Sequence, residues 1–272
     1  MSIAAAALMC HAPIVVPVIG GARGGDCAVT TRAMRSVAAD VVAQAPDVLV
    51  LISPHAPRQR RTWGVSADAT LHGDFRRFGH AELSVALPGA PGAARSLAAA
   101  ASRVELEVTD LPADDLDHGA TVPLWFLAEA GLRAPTLLVA LPYPGAGSEA
   151  RFGRLLRDVA AARGERWAVV ASGDMSHRLQ PGAPGGYHPR AHEFDDAFVA
   201  HVRAADYTRA VAPDEALQEL AGEDVVQSTA VAVAAVNGAA RGARVYAYER
   251  PFGVGYMEAL LYAEPTPARS HT

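Results

Sequence analysis

Short, unbroken apolar runs followed by longer helical patterns set the strongest limit on how this chain folds. Val48–Ile52, Ile3–Met9 and Trp167–Ala171 contain no polar residue at all. A strand that is apolar on both faces belongs inside a sheet covered on both sides, and a helix after each such strand makes that sheet largely parallel. Further strands are expected at Thr62–Ala67, Val104–Val108, Thr136–Leu141, Val245–Glu249 and Met257–Tyr262. Helices are expected at Val29–Gln44, Gly92–Ser102, Val122–Ala130, Glu149–Ala162, Pro189–Arg203, Pro213–Leu220 and Val225–Asn237. The pattern reads as α/β, one three-layer α/β/α domain around a largely parallel mixed sheet. It spans residues 1–263, and a frayed tail at 264–272 carries Pro265, Pro267 and His271.

Composition removes several chemistries. All 24 basic residues are arginine, so Schiff-base catalysis, a pyridoxal-phosphate lysine, a Walker A lysine and a kinase lysine are excluded. The net charge of −5 has no long run of one sign, which argues against nucleic acid or an acidic membrane as partner. Cys10 and Cys27 are the only cysteines and form no CxxC pair, so neither a disulfide scaffold nor a cysteine-rich zinc site is expected. The apolar stretch Ile3–Cys10 is short and lacks a basic flank; a soluble, cytoplasmic protein without signal peptide or membrane span is expected.

In open α/β sheets, functional groups gather beyond the carboxyl ends of the strands. Four of the ten histidines obey that rule. His11 follows the first strand in His11-Ala12-Pro13, and His55 the second in Ser53-Pro54-His55-Ala56-Pro57. His177 follows a later strand in Ser172-Gly173-Asp174-Met175-Ser176-His177, and His118 lies in Leu116-Asp117-His118-Gly119, just ahead of a helix. Any one of them alone reads as a hydrogen-bonded loop histidine. Together they point to one cleft, where two imidazoles plus one carboxylate would hold a divalent metal with open positions.

These segments, with Ala120-Thr121-Val122-Pro123-Leu124 after His118-Gly119, resemble the LigB-type class III extradiol dioxygenases over roughly residues 9 to 260. The closing Phe252-Gly253-Val254-Gly255-Tyr256 is similar to the Memo-like branch of that superfamily. The resemblance implies His11 and His55 as metal ligands, with a glutamate before a late helix as the third. Glu223 is that residue here and Asp224 its reserve, although a carboxylate at a helix start also serves the helix dipole. It further implies His177 as acid/base and His118 beside the dioxygen, both outside the metal's own ligand set. The implied cofactor is Fe(2+), with Zn(2+) or another divalent metal as alternatives, and the implied reactants are a small aromatic diol and O2. A small second subunit occurs in some members, and a homo-oligomer is expected. Two other readings stay open: a Memo-like metal-binding protein with a redox or regulatory role and no ring cleavage, and a hydrolytic zinc enzyme on the same ligands.

Other motifs read as structural. Gly145-Ala146-Gly147-Ser148-Glu149-Ala150 mimics a dinucleotide loop but lies mid-chain, so a turn and helix start are expected. His188-Pro189-Arg190-Ala191-His192 lacks the glutamate of a zincin helix, and Gly20–Gly25 reads as a surface loop. Asp114-Asp115 and Asp195-Asp196 are expected to be solvated, and Tyr187 to line a substrate mouth.

Overall fold

The computed structural model describes residues 2–145 and 147–265; Ala146 of the glycine-rich turn and residues 266–272, including Pro267 and His271, lie outside the described residues. In chain order the elements are β1 (Ile3–Met9), α1 (Pro17–Gly20), α2 (Ala28–Ala43), β2 (Val48–Ser53), β3 (Trp63–Val65), β4 (Thr70–Phe75) and β5 (His80–Pro88). They continue with α3 (Pro91–Ala101), β6 (Val108–Asp110), α4 (His118–Glu129), β7 (Thr136–Ala140), α5 (Glu149–Arg163), β8 (Trp167–Ser172) and α6 (Ala191–Arg203). The last are α7 (Tyr207–Ala210), α8 (Glu215–Ala221), α9 (Val226–Ala235), β9 (Arg244–Glu249) and β10 (Tyr256–Ala263).

Eight strands form one mixed sheet in the order β6-β3-β7-β2-β8-β1-β10-β9. Its centre, β7-β2-β8-β1, is parallel, and β10 and β9 extend it antiparallel. The central strands bury every residue, which is why their sequences carry no alternation. Val48, Val50 and Ile52 of β2 point to one face, where α3, α5, α6 and α9 pack; Leu49 and Leu51 point to the other, against α2 and α4. β1 is mostly alanine, a weak strand former. Small side chains there bring α2 and α9 close to the two faces of the strand.

The structure bears out the single α/β layer architecture and corrects several details. The expected strand Val104–Val108 does not form: Ser102–Val104 is a 3-10 turn, Glu105 takes φ 53°, and β6 starts at Val108. α4 begins at His118 rather than Val122, because the Asp117 carboxylate accepts the Ala120 N–H and caps the helix there. A hairpin of β4 and β5 that the sequence reading lacks covers the α4 side, packing Leu71, Phe75, Val85 and Leu87 into the core. Gly20–Gly25, read as a loop, instead closes α1 and runs into a 3-10 segment, Gly21–Cys27. Glu264, expected in a frayed tail, is tied down: its N–H donates to the Ala4 carbonyl at 2.9 Å, and Arg166 pairs with its carboxylate at 2.8 Å. Among the described residues, no helix is long and apolar enough to cross a membrane.

Candidate metal centre

β2, β8 and β1 are neighbours, and their carboxyl ends lie level: Met9 pairs with Ser172, and Ile52 with Ala171. Two residues beyond each outer strand come His11 and His55, so the two parallel strands that flank β8 deliver both imidazoles to one point. Their Nε2 atoms lie 3.0 Å apart. His118 enters from the first turn of α4, its ring 4.2 Å from that of His55 and 5.4 Å from that of His11, centroid to centroid. All three offer ring nitrogens within 4.8 Å of one another.

The carboxylate that faces these rings belongs to Asp224. Its Oδ2 lies 3.5 Å from His11 Nε2 and 3.3 Å from His55 Nε2. Glu223, expected as the third ligand, is used otherwise. Its Oε2 accepts the N–H groups of Val225 and Val226 at the start of α9, at 2.6 and 2.8 Å, and its Oε1 accepts from Gln218 at 2.6 Å. The free N–H groups at the start of α9 claim Glu223, and Asp224 is the carboxylate left facing the rings. Asp224 is pinned by its other oxygen, which accepts the Asp174 N–H at 2.7 Å, while the Asp224 N–H donates to the Asp174 carbonyl at 3.1 Å. Gly173 makes that approach feasible, since a Cβ there would stand 2.5 Å from Val225 Cα.

A donor set of three imidazoles and one carboxylate suits a borderline divalent metal. The spacing suits it as well. Two donors about 2.1 Å from a common ion lie about 3.0 Å apart at an octahedral angle and about 3.4 Å at a tetrahedral one, and the separations among His11, His55 and Asp224 are 3.0, 3.3 and 3.5 Å.

Electrostatics tell the same story. Burial works against charge on His11, yet the carboxylates of Asp174 and Asp224 overcome it and push the imidazole up to about 9. Burial also opposes ionisation of Asp224, but His11 and His55 hold it well below the usual carboxylate range. His118 is pushed down to about 3, first by burial and then by the positive charge of His55 and His11. Burial lifts Glu223 to about 7 despite its three hydrogen bonds. The cluster therefore collects positive charge on His11 against Asp224, the place a divalent cation would take as protons leave.

Several contributors were not singled out by sequence. Asp174 is buried; its Oδ1 accepts the His11 N–H at 3.0 Å, and burial raises its carboxyl, only partly offset by His11. Ser172 and Ser53, each the last residue of its strand, reach α4: Ser172 donates to the Gly119 carbonyl at 2.6 Å, Ser53 to Asp117 Oδ1 at 2.7 Å. Both stand in the quoted histidine segments, so a serine closing each strand was the available signal. His177 lies apart from the three clustered rings. Its N–H donates to the Ala221 carbonyl at 3.1 Å, its charge acts on Asp174, and its Nδ1 is buried without a partner among the described residues.

A cavity of about 330 Å³ opens beside His55 and His118 and is roofed by the turn of the β4–β5 hairpin with Arg76, Arg77 and Phe78. The Phe78 ring meets His118 edge-on at 5.9 Å. Exposed Asp114 and Asp115 stand at its wall. Asp195, expected to be solvated, is instead fully buried on α6, where it accepts the Ser176 N–H at 2.9 Å and the Tyr248 hydroxyl at 2.7 Å. Tyr187, His188 and His192 line a separate cleft that contains none of the clustered histidines.

A sheet between two helical layers, with histidines converging past its parallel strands beside a roofed cavity, defines an α/β protein with a site that could hold a divalent metal. Residues 5–258 match the model of the catalytic LigB subunit of aromatic ring-opening dioxygenase, and the chain belongs to that family. It is 25% identical over 258 residues to Protein CA_C1420 of Clostridium acetobutylicum, covering 92% of this chain and 55% of that protein, so it spans about half the length of this curated relative. The crystal structure of the uncharacterized protein JW3007 from Escherichia coli K12 shares the fold, with a TM-score of 0.63 at 17% identity over 95% of this chain and 100% of that one.

Proposed function

We propose that the chain is a non-haem Fe(II) extradiol dioxygenase that opens the ring of a catechol-type diol with O2. One observation carries the reading: in a LigB-family chain, His11, His55 and Asp224 place their donor atoms 3.0 to 3.5 Å apart beside a cavity large enough for a small aromatic ring. His11, His55 and Asp224 would hold the ion, with Asp224 in the role first given to Glu223. Bound there, the ion would supply Lewis acidity toward the diol oxygens and a redox centre for O2. The chain's own groups do the rest. Phe78 and the hairpin turn shield one side of the ring site from water. His118, held neutral by its surroundings, offers a hydrogen bond at the cavity wall. His177 would accept a hydroxyl proton, the role the family resemblance gives it, through the Nδ1 that is buried without a partner among the described residues.

The second reading, a metal-binding protein without ring cleavage, draws on the proximity of His118. A third imidazole on the ion would occupy a position that diol or O2 needs. Anaerobic loading with Fe(II), then oxygen uptake and yellow ring-cleavage products across a catechol panel, separates the two. Stoichiometric iron with no uptake on any diol would sink the dioxygenase reading.

A further inference from the structure

We propose that Ser172 is a positioning residue that orients His11, and that Pro123 is what commits Ser172 to that task. The inference deepens the metal-centre reading and rests on it only for the meaning of the orientation.

The chain of contacts begins in α4. In a regular helix the Gly119 carbonyl accepts the N–H four residues on, but that residue is Pro123, which has none. The proline ring also crowds that carbonyl and turns it off the helix axis. A buried carbonyl without a donor is costly. The Ser172 hydroxyl meets the need, donating to Gly119 O at 2.6 Å. A serine has a single hydroxyl proton. Once it points to a carbonyl, which only accepts, Ser172 Oγ has only lone pairs for the His11 Nδ1 that sits 3.0 Å away. Nδ1 must therefore carry the proton and donate, and in the neutral ring Nε2 is left with its lone pair turned toward His55 and Asp224. Among the described residues, neither His55 nor His118 has a hydrogen bond from its ring to a protein group behind it. His11 is the one ring of the three fixed from the rear, a support that metal-binding histidines generally have. A proline in a helix thus selects a tautomer in a strand-end loop.

The test uses histidine-15N-labelled protein, metal-free, at a pH above the His11 titration, with ring nitrogen shifts read by NMR; Zn(II) affinity is measured separately by chelator competition. Wild type is expected to show His11 with Nδ1 protonated. Ser172→Ala should move the proton to Nε2 and weaken Zn(II) binding by about 10–100-fold, and Ser172→Thr should restore both. Pro123→Ala, which returns an N–H to the Gly119 carbonyl and removes no site side chain, should shift the tautomer the same way and serves if Ser172→Ala does not fold. A wild-type His11 protonated at Nε2, or a tautomer unchanged in the folded variants, would overturn the proposal. Wild type with the Nδ1 proton in place but no Zn(II) bound would support the orientation and defeat the metal reading instead.

Discussion

Replacing Asp195 by asparagine should make the protein more stable at neutral pH. Asp195 has no exposed surface, and burial raises its carboxyl from the ordinary 3.8 to about 6, outweighing the hydrogen bonds from Tyr248 and Ser176. A carboxyl displaced that far carries about 3 kcal/mol between its two ionisation states. The folded protein holds the proton more tightly than the unfolded chain, so the penalty is absent below about pH 4. It grows as pH rises and is complete above the folded value. Asparagine keeps both contacts: its carbonyl accepts the Ser176 N–H, and its amide donates to the Tyr248 oxygen. Denaturant unfolding of both proteins from pH 4 to 8 isolates the effect, because all other titrations cancel in the difference. Expected is a gap that opens toward high pH to about 3 kcal/mol, or about 5 °C in Tm for a chain of this size. An asparagine variant less stable than wild type at pH 8 would refute the buried-charge reasoning.

Asp224→Ala should abolish stoichiometric metal, whereas Glu223→Ala should keep it and lose about 0.5–2 kcal/mol as a helix-end cap; metal analysis and thermal unfolding read the two, and the reverse pattern would restore Glu223 as ligand. His177→Ala should retain the metal and lose roughly 10²–10⁴ in turnover, and loss of metal in the folded variant would place His177 on the ion. Light scattering at micromolar concentration should give a mass above one chain, since closed homo-oligomers are common among soluble enzymes; a single-chain mass at every concentration counts against it.

The elements that were legible in the sequence were those where local pattern and tertiary burial agree. β2 and β8 match their apolar runs to within a residue because nothing polar interrupts them. The β4–β5 hairpin was hidden: Thr70-Leu71-His72-Gly73-Asp74-Phe75 buries only alternate residues and includes glycine and aspartate, both poor strand formers. The histidines stood out through their place after strands, yet the choice between Glu223 and Asp224 did not, since either satisfies a helix start. Tertiary bonds from Asp174 decide it, and those come from a residue fifty positions away. Asp195 was misread for the same reason: its partners are Ser176, in the loop after β8, and Tyr248 on β9.

The residues proposed to hold the ion sit at positions 11, 55 and 224, and no two belong to one local segment. A partly folded chain would hold at most a pair of them, so high affinity develops only when β1, β2, β8 and the turn before α9 have closed together. Ion binding then becomes a gauge of cooperative closure: metal present at about 1,000 times its Kd would add about 4 kcal/mol to the native state and almost nothing to its fragments. Chelation should accordingly lower the unfolding temperature of the whole sheet rather than loosen one loop.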